Sequence, residues 1–194
     1  MKIREYTLVQ DKYRHPKLEE INCYEWEGEL VYCDEIHRMF KEVFRMNRLS
    51  IEKSYVVAFD HAKKLKGICQ VGQGNSNETA MPLQNIFTFL LLTGAASFIV
   101  AHNHVSDMPQ ASEEDKIKTM QLNMHANIFE MEFIGHMIIS PNEYIIDGGV
   151  IGNETEYKEE GEIEYLDNGM AATYIFGNRI EGKREDIETI CGIE

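Results

Sequence analysis

Two histidines separated by one residue, His102 and His104, end an apolar run (SFIVAHNH) in this chain of 194 residues. If the run is a β-strand, side chains at i and i+2 point to the same face, so both imidazoles can reach a single ion. Ser112 follows eight residues after His104, and Asp115 follows three residues later. A helix that begins at Ser112 would direct Asp115 back toward the strand. The pattern therefore predicts a zinc site with a fourth position for water, as hydrolysis requires.

Each half of this pattern also has an ordinary structural explanation. Ser112, followed by Glu113, Glu114 and Asp115, is close to a capping box and complements the positive end of a helix. A lone HxH on a strand is also a weak signal. Because the strand end and the helix start both fit, the combination favours the metal site over helix capping alone.

The elements that must position these residues can be read from the apolar spacing. β-branched and aromatic runs predict strands at 54–60, 65–71 and 97–102, followed by a closing pair of strands around Pro141 and Asn142. Helical spacing predicts helices at 34–47, 82–94 and 112–130. The third of these has one apolar stripe, formed by Ile117, Met120, Met124 and Ile128. The strand–helix–strand succession indicates an α/β fold.

The two ends of the chain are less regular. Residues 21–32 (INCYEWEGELVY) predict one or two strands with a turn at Glu27 and Gly28. Residues 151–194 contain 12 acidic and 4 basic side chains, so they hold most of the formal net charge of −14. In this acidic segment we expect a hairpin that turns at residues 167–169, followed by a short helical tail.

Several segments of this chain closely resemble the JAMM (JAB/MPN) metalloprotease family, in particular its RadC branch. The segment AHNH-VSDMPQA-SEED resembles the family's metal motif, and GHMIISPNEY resembles its late strand. SIEKSYVVAFDHAKKL resembles the opening segment, a Glu followed eight residues later by a strand-ending Asp, here Glu52 and Asp60. Pro82 lies where the family's helix-opening proline is expected. The resemblance covers Leu49 to Tyr144, about half of the chain.

The resemblance implies a fold, an activity and roles for individual residues. The fold is a JAB/MPN-type mixed curved β-sheet flanked by helices, and the activity is cleavage of a peptide or isopeptide bond in a peptide or protein substrate. One zinc ion per chain would be held by His102, His104 and Asp115. Glu52 would accept a proton from the zinc-bound water and deliver it to the leaving amine. The hydroxyl of Ser112 would hydrogen-bond the developing oxyanion.

The same resemblance divides the chain into three parts. Residues 1–48 would be N-terminal strands and a helix that pack on the core, 49–148 the RadC-like metal-binding core, and 149–194 an acidic C-terminal extension. For the extension, three roles stay open: covering the site, contacts in a homodimer, and binding a basic partner.

The chain departs from the RadC pattern at several places around the metal motif. HNHPSG appears here as HNHVSD, so Val105 and Asp107 replace a proline and a glycine. The DH pair of the late strand is Gly135 and His136, and we interpret His136 as a strand histidine with satisfied hydrogen bonds rather than a ligand. These changes affect the expected substrate groove, so they bear on specificity rather than on metal ligation.

The composition limits which partners the protein could bind and indicates its cellular compartment. A net charge of −14 argues against broad nucleic-acid binding and against docking on an anionic membrane. The four cysteines form no CxxC pair, which favours free thiols in a reducing compartment. The longest apolar stretch falls short of the ~20 residues of a membrane-spanning helix. We therefore expect a cytoplasmic protein.

Two alternatives to a hydrolase come from other functional classes. One is a DNA-repair-associated accessory protein with a structural metal, which the acidic balance disfavours. The other is a non-catalytic JAB scaffold, a kind of protein that usually lacks one or more ligands. All three ligand candidates, together with Glu52 and Ser112, are present here, which favours an enzyme.

Overall fold

A seven-stranded mixed β-sheet forms the centre of the computed structural model, which describes residues 1–74, 81–107, 109–149, 163–166, 170–175 and 178–183. The strands of this sheet are β1 (Lys2–Gln10), β2 (Pro16–Glu25), β3 (Lys53–Phe59), β4 (Leu65–Gln73), β5 (Ser97–Asn103), β6 (Glu132–Ile139) and β7 (Tyr144–Asp147). Their order across the sheet is β2-β1-β4-β3-β5-β6-β7. The helices are α1 (Cys33–Glu42), α2 (Leu83–Thr93) and α3 (Glu113–Ile128). The predicted mixed α/β fold is thus confirmed.

Strand alternation divides the apolar core into two clusters, one on each face of the sheet. One cluster packs against α1 and includes Val57, Phe59, Ile99 and Ala101. The other packs against α2 and α3 and includes Val56, Ala58, Phe98 and Val100. His102 lies two residues beyond Val100, so alternation places its side chain on the face that α3 covers. The antiparallel pair of β3 and β5 aligns Ser54 with His102 at the same end of the sheet.

The N-terminal region folds differently from the expectation for residues 21–32. A single strand, β2, ends at Glu25, and its antiparallel partner is β1 rather than a segment beyond Gly28. The turn falls at residues 11–15, because the Asp11 carboxylate accepts hydrogen bonds from the backbone N–H groups of Tyr13 and His15. β1 also pairs in parallel with β4, so the hairpin extends the central sheet.

Two helices differ from their predicted form, and one ends as expected. α1 ends at Glu42 rather than near residue 47, and a short 3-10 turn at Met46–Arg48 follows a left-handed Arg45 with φ 53°. α2 ends at Thr93, as predicted, and its C-cap is Gly94, whose φ of 60° suits glycine. The predicted apolar stripe of α3 is exposed, because the buried residues of this helix are Asp115, Thr119, Leu122 and Ala126. The helix therefore turns polar groups, and not its stripe, toward the end of β5.

The acidic segment forms strands where the structure describes it. β8 (Ile163–Tyr165), β9 (Met170–Ile175) and β10 (Asn178–Lys183) make a three-stranded antiparallel sheet in the order β10-β9-β8. The predicted hairpin partners β8 and β9 do pair, while the expected turn at 167–169 and the helical tail lie outside the described residues. Across the described ranges, each helix is too short or too polar to cross a membrane.

The buried thiol of Cys69 in β4 predicts how the stability of the protein changes at alkaline pH. Burial, followed by the charge of Glu5, raises the pKa of this thiol from near 9 to about 12. The unfolded chain therefore loses the thiol proton near pH 9, whereas the folded protein keeps it up to about pH 12. Deprotonation of the unfolded chain lowers the free energy of unfolding as the pH rises through this range. Over that window, Cys69→Ala should reduce the pH slope of the unfolding free energy by about 1.4 kcal/mol per pH unit. Urea titrations at several pH values would measure the slope.

Val71→Ala is the matched control for this prediction, since it also shortens a buried side chain of β4 but removes no titrating group. It should lower the unfolding free energy by a similar amount at every pH. Equal slopes for Cys69→Ala and the wild type would contradict the prediction.

Candidate metal centre

The end of β5 brings both motif histidines next to the first turn of α3. The His102 side chain is 1% exposed and that of His104 is 15% exposed, and their ring centroids lie 4.7 Å apart. Nε2 of His102 lies 3.3 Å from Oδ1 of Asp115, and Nε2 of His104 lies 3.3 Å from Oδ2 of the same carboxylate. The residues predicted as metal ligands are therefore brought together around one carboxylate.

These distances can be compared with those around a bound ion. Two atoms that each bind a tetrahedral zinc ion at about 2.0–2.1 Å lie about 3.3–3.4 Å from one another. In addition, Nε2 of His102 is buried and has no hydrogen-bond partner within the described part of the chain. A buried polar atom without a partner is costly, and a cation between His102 and Asp115 would remove this cost. The donor set thus fits a divalent ion that prefers nitrogen and oxygen ligands.

Ser112 holds Asp115 in place through a reciprocal capping box at the start of α3. The Ser112 hydroxyl accepts from the Asp115 backbone N–H at 3.1 Å and donates to Oδ2 of Asp115 at 2.7 Å. The Ser112 backbone N–H donates to the same carboxylate oxygen at 2.9 Å. Helix capping and metal ligation, which were alternatives for the sequence, are therefore compatible uses of the same residues.

Burial and the neighbouring groups set the charges of the cluster. Burial, and then the nearby His136 ring, hold the pKa of His102 well below its ordinary value. Burial lowers the pKa of His136 to about 4. Burial alone would raise the pKa of Asp115, but hydrogen bonds from His104 and from Ser112 lower it below its usual range. A carboxylate beside neutral imidazoles is the protonation state that metal binding requires.

His136 is a member of the cluster whose placement only the fold reveals. Its Nε2 lies 2.7 Å from Nδ1 of His102, and its Nδ1 lies 2.8 Å from the hydroxyl of Thr119. His102, Asp115 and His136 also form a group whose ligand atoms lie within 4.8 Å of one another and could hold a metal ion. However, both ring nitrogens of His136 already have partners, so we place it behind His102 rather than on an ion. No feature of β6 other than its strand alternation could have indicated this contact.

Glu52 lies just before β3 and is 8% exposed. If the register that pairs Ser54 with His102 continues by two residues, Glu52 lies opposite His104. The side-chain amide of Asn103 fixes this segment: it accepts from the Lys53 backbone N–H at 2.9 Å and donates to the Ile51 carbonyl at 3.1 Å. Asn103, the middle residue of the HxH motif, therefore clamps the backbone on both sides of Glu52. The sequence pattern had indicated no role for Asn103.

Ser112→Ala should destabilise the metal-free protein by about 1 kcal/mol, because the helix loses its N-cap acceptor. Ser112→Thr keeps the hydroxyl and should stay close to the wild type. Urea denaturation followed by circular dichroism measures both variants. A loss as large for threonine as for alanine would show that the capping hydroxyl is not the cause.

A mixed sheet that presents an HxH strand end beside a capped helix start with an aspartate defines a JAB/MPN-type domain with a candidate metal site. The family model of the RadC-like JAB domain matches residues 32–146, more than half of the chain. The chain therefore belongs to the RadC-like JAB domain family, and the resemblance seen in the sequence is confirmed. The wider JAB domain family includes hydrolases.

Three curated relatives show how far the similarity extends. A UPF0758 protein of Clostridium beijerinckii is 31% identical over 100 residues, which are 52% of this chain and 44% of the relative. One of Thermotoga maritima is 24% identical over 132 residues, covering 68% of this chain and 50% of the relative. One of Acaryochloris marina is 33% identical over 95 residues, covering 49% of this chain and 39% of the relative. The chain spans half or less of the length of these relatives.

Proposed function

We propose that this protein is a zinc-dependent hydrolase that cleaves a peptide or isopeptide bond. One observation carries the proposal: the buried Nε2 of His102 has no partner in the described residues and faces Asp115 across 3.3 Å, with His104 at the same distance from the other carboxylate oxygen. A structural metal site is normally closed by four protein ligands, whereas a catalytic site keeps one position open. Three protein ligands match the catalytic kind.

His102, His104 and Asp115 would hold the zinc ion, one per chain. When bound, the ion would supply Lewis acidity, which lowers the pKa of water and polarises a carbonyl. His104 completes the set better than His136, because its Nε2 already lies 3.3 Å from Asp115 while the nitrogens of His136 are engaged elsewhere. The other chemical roles belong to side chains of the protein.

Glu52 is the proposed general base. It is a largely buried carboxylate on the segment that Asn103 clamps, and it lies outside the group of ligand atoms. Its carboxylate would take a proton from the attacking water and return it to the leaving amine. This is general acid–base catalysis by a positioned carboxylate. The two hydrogen bonds of Asn103 fix the backbone on both sides of Glu52, which limits how far its carboxylate can move.

Ser112 is the proposed donor to the oxyanion. In the structure its hydroxyl donates to Oδ2 of Asp115. A role at the oxyanion requires the hydroxyl to rotate away from Asp115, which becomes easier when that carboxylate has another positive partner. The backbone N–H of Ser112 would then remain as a donor to the carboxylate.

The proposal is tested by measuring metal and activity in the same preparation. Purified protein should bind one zinc ion per chain, and profiling with peptide and isopeptide libraries should give zinc-dependent cleavage that a chelator stops and added zinc restores. Absence of stoichiometric zinc binding would contradict the metal site. Full zinc binding without cleavage of either library would favour the non-catalytic scaffold.

The compartment is part of the same proposal. Cys23 and Cys69 are free thiols in the structure, which suits a reducing environment. We therefore place the protein in the cytoplasm, with a peptide or protein as its substrate and without a nucleic-acid partner.

A further inference from the structure

A line of hydrogen-bonding groups runs from α3 to β6 to the metal-facing side of β5. We infer that His136 and Thr119 fix His102 in the tautomer that carries its proton on Nδ1, and thereby keep its Nε2 available for a metal ion. His136 is thus a positioning residue and not a ligand. The metal part of this inference rests on the proposed function, whereas the position of the proton does not.

The direction of the hydrogen bonds follows from the bond at one end of the line, between Thr119 and the backbone of Asp115. The Thr119 hydroxyl lies 2.9 Å from the backbone carbonyl of Asp115, which can only accept, so the hydroxyl donates its single hydrogen there. Toward Nδ1 of His136, at 2.8 Å, the hydroxyl oxygen must then accept. His136 therefore carries its proton on Nδ1, and as a neutral imidazole it presents a lone pair on Nε2.

The same logic passes from His136 to His102. Nε2 of His136 and Nδ1 of His102 lie 2.7 Å apart, so the accepting Nε2 requires the proton of His102 to be on Nδ1. The lone pair of His102 is left on Nε2, the buried atom that has no hydrogen-bond partner in the described chain. That atom faces Oδ1 of Asp115, another acceptor, at 3.3 Å. Two acceptors that face each other at this distance are what a cation stabilises.

The surroundings leave this line little freedom to rearrange. His102, His136 and Thr119 are 1%, 0% and 6% exposed, so water does not readily replace any of the bonds. Gly148, at φ 59°, allows the close approach of Thr119, whose methyl group would lie 2.4 Å from a Cβ at that position. Ring orientation and tautomer are therefore set before an ion arrives, which is the usual role of the groups behind a metal-binding histidine.

Two matched pairs of variants test the inference. A Gln side-chain oxygen can accept from Nδ1 of His102 approximately where Nε2 of His136 lies, whereas Leu cannot accept at all. We therefore compare His136→Gln with His136→Leu. At the other position, Thr119→Ser keeps the hydroxyl and Thr119→Val replaces it with a methyl group of similar shape. Thermal melting checks that each variant folds.

Two measurements are made on all four variants. Nitrogen-15 NMR of the metal-free protein reads which ring nitrogen of His102 carries the proton, and calorimetry with a competing chelator gives the zinc dissociation constant. In the wild type and His136→Gln we expect the proton on Nδ1 and similar zinc affinity. In His136→Leu we expect a tautomer mixture and zinc binding weakened by about 10–100-fold, as is typical when an outer partner of a ligand is lost. Thr119→Val should weaken binding in the same direction, and Thr119→Ser should not.

The outcomes separate this inference from the proposed function. The inference is wrong if the His102 proton stays on Nδ1 in both His136→Leu and Thr119→Val. It is also wrong if His136→Gln loses zinc as completely as His136→Leu, since His136 would then be a ligand. If the wild type bound no zinc, the proposed function would fail, yet the NMR comparison would still decide the tautomer.

Discussion

Glu52→Gln should keep one zinc ion per chain and lower kcat/KM for the cleaved substrate by about 10²–10⁴-fold, the usual contribution of a positioned general base. Glutamine has nearly the shape of glutamate but cannot take up a proton, so the fold and the ligand cluster should persist. The reaction would lose the group that accepts a proton from water and returns it to the leaving amine. Steady-state kinetics with parallel metal analysis measures both quantities.

The control for this variant is Glu143→Gln, which removes an exposed carboxylate from the turn between β6 and β7. It should retain full activity. Hydrolysis by Glu52→Gln at the wild-type rate would exclude Glu52 as the base. If zinc were lost from Glu52→Gln together with activity, this carboxylate would act in metal binding instead.

His104→Ala should weaken zinc binding by more than the roughly 10–100-fold that follows loss of an outer partner, because a ligand itself is removed. His104 is the least buried of the four cluster residues, so its truncation should cost little fold stability. Calorimetric titration with zinc chloride and metal analysis after dialysis measure the change. Activity should be lost together with the metal.

His15→Ala is the matched control, since His15 is an exposed histidine on the turn between β1 and β2. Its zinc binding should equal that of the wild type. Unchanged metal content in His104→Ala would overturn the ligand assignment and would direct attention to the alternative group of His102, Asp115 and His136. His104→Ala and Glu52→Gln together separate the binding of the zinc ion from the hydrolysis that it supports.

The predictable part of the site is the part that depends on local rules. Strand alternation places His102 and His104 on one face, and a helix that starts at Ser112 directs Asp115 toward that face. Both features are encoded within a few residues, and the structure reproduces them at β5 and in the capping box of α3. The role of Glu52 was different, because only the resemblance to a family selected it from 33 acidic residues.

The predictions about the fold that were wrong have a common cause. The apolar stripe of α3 obeys helical spacing, yet the helix buries a different side, formed by Asp115, Thr119, Leu122 and Ala126. Spacing shows that a helix has an apolar side, but the sheet against which it packs decides which side is covered. Likewise, residues 21–32 have the composition of a hairpin, whereas Asp11 forms the turn and β1 provides the partner strand.

The sequence by itself determined the family, the mixed α/β class and the order of the His, Ser and Asp residues along strand and helix. Only the tertiary structure placed His136 behind His102 and Asn103 beside the backbone of Glu52. These contacts join residues 34 and about 50 positions apart, and they depend on the register of β5 against β6 and β3. Register is a property of paired strands, so no local pattern in either segment could specify it.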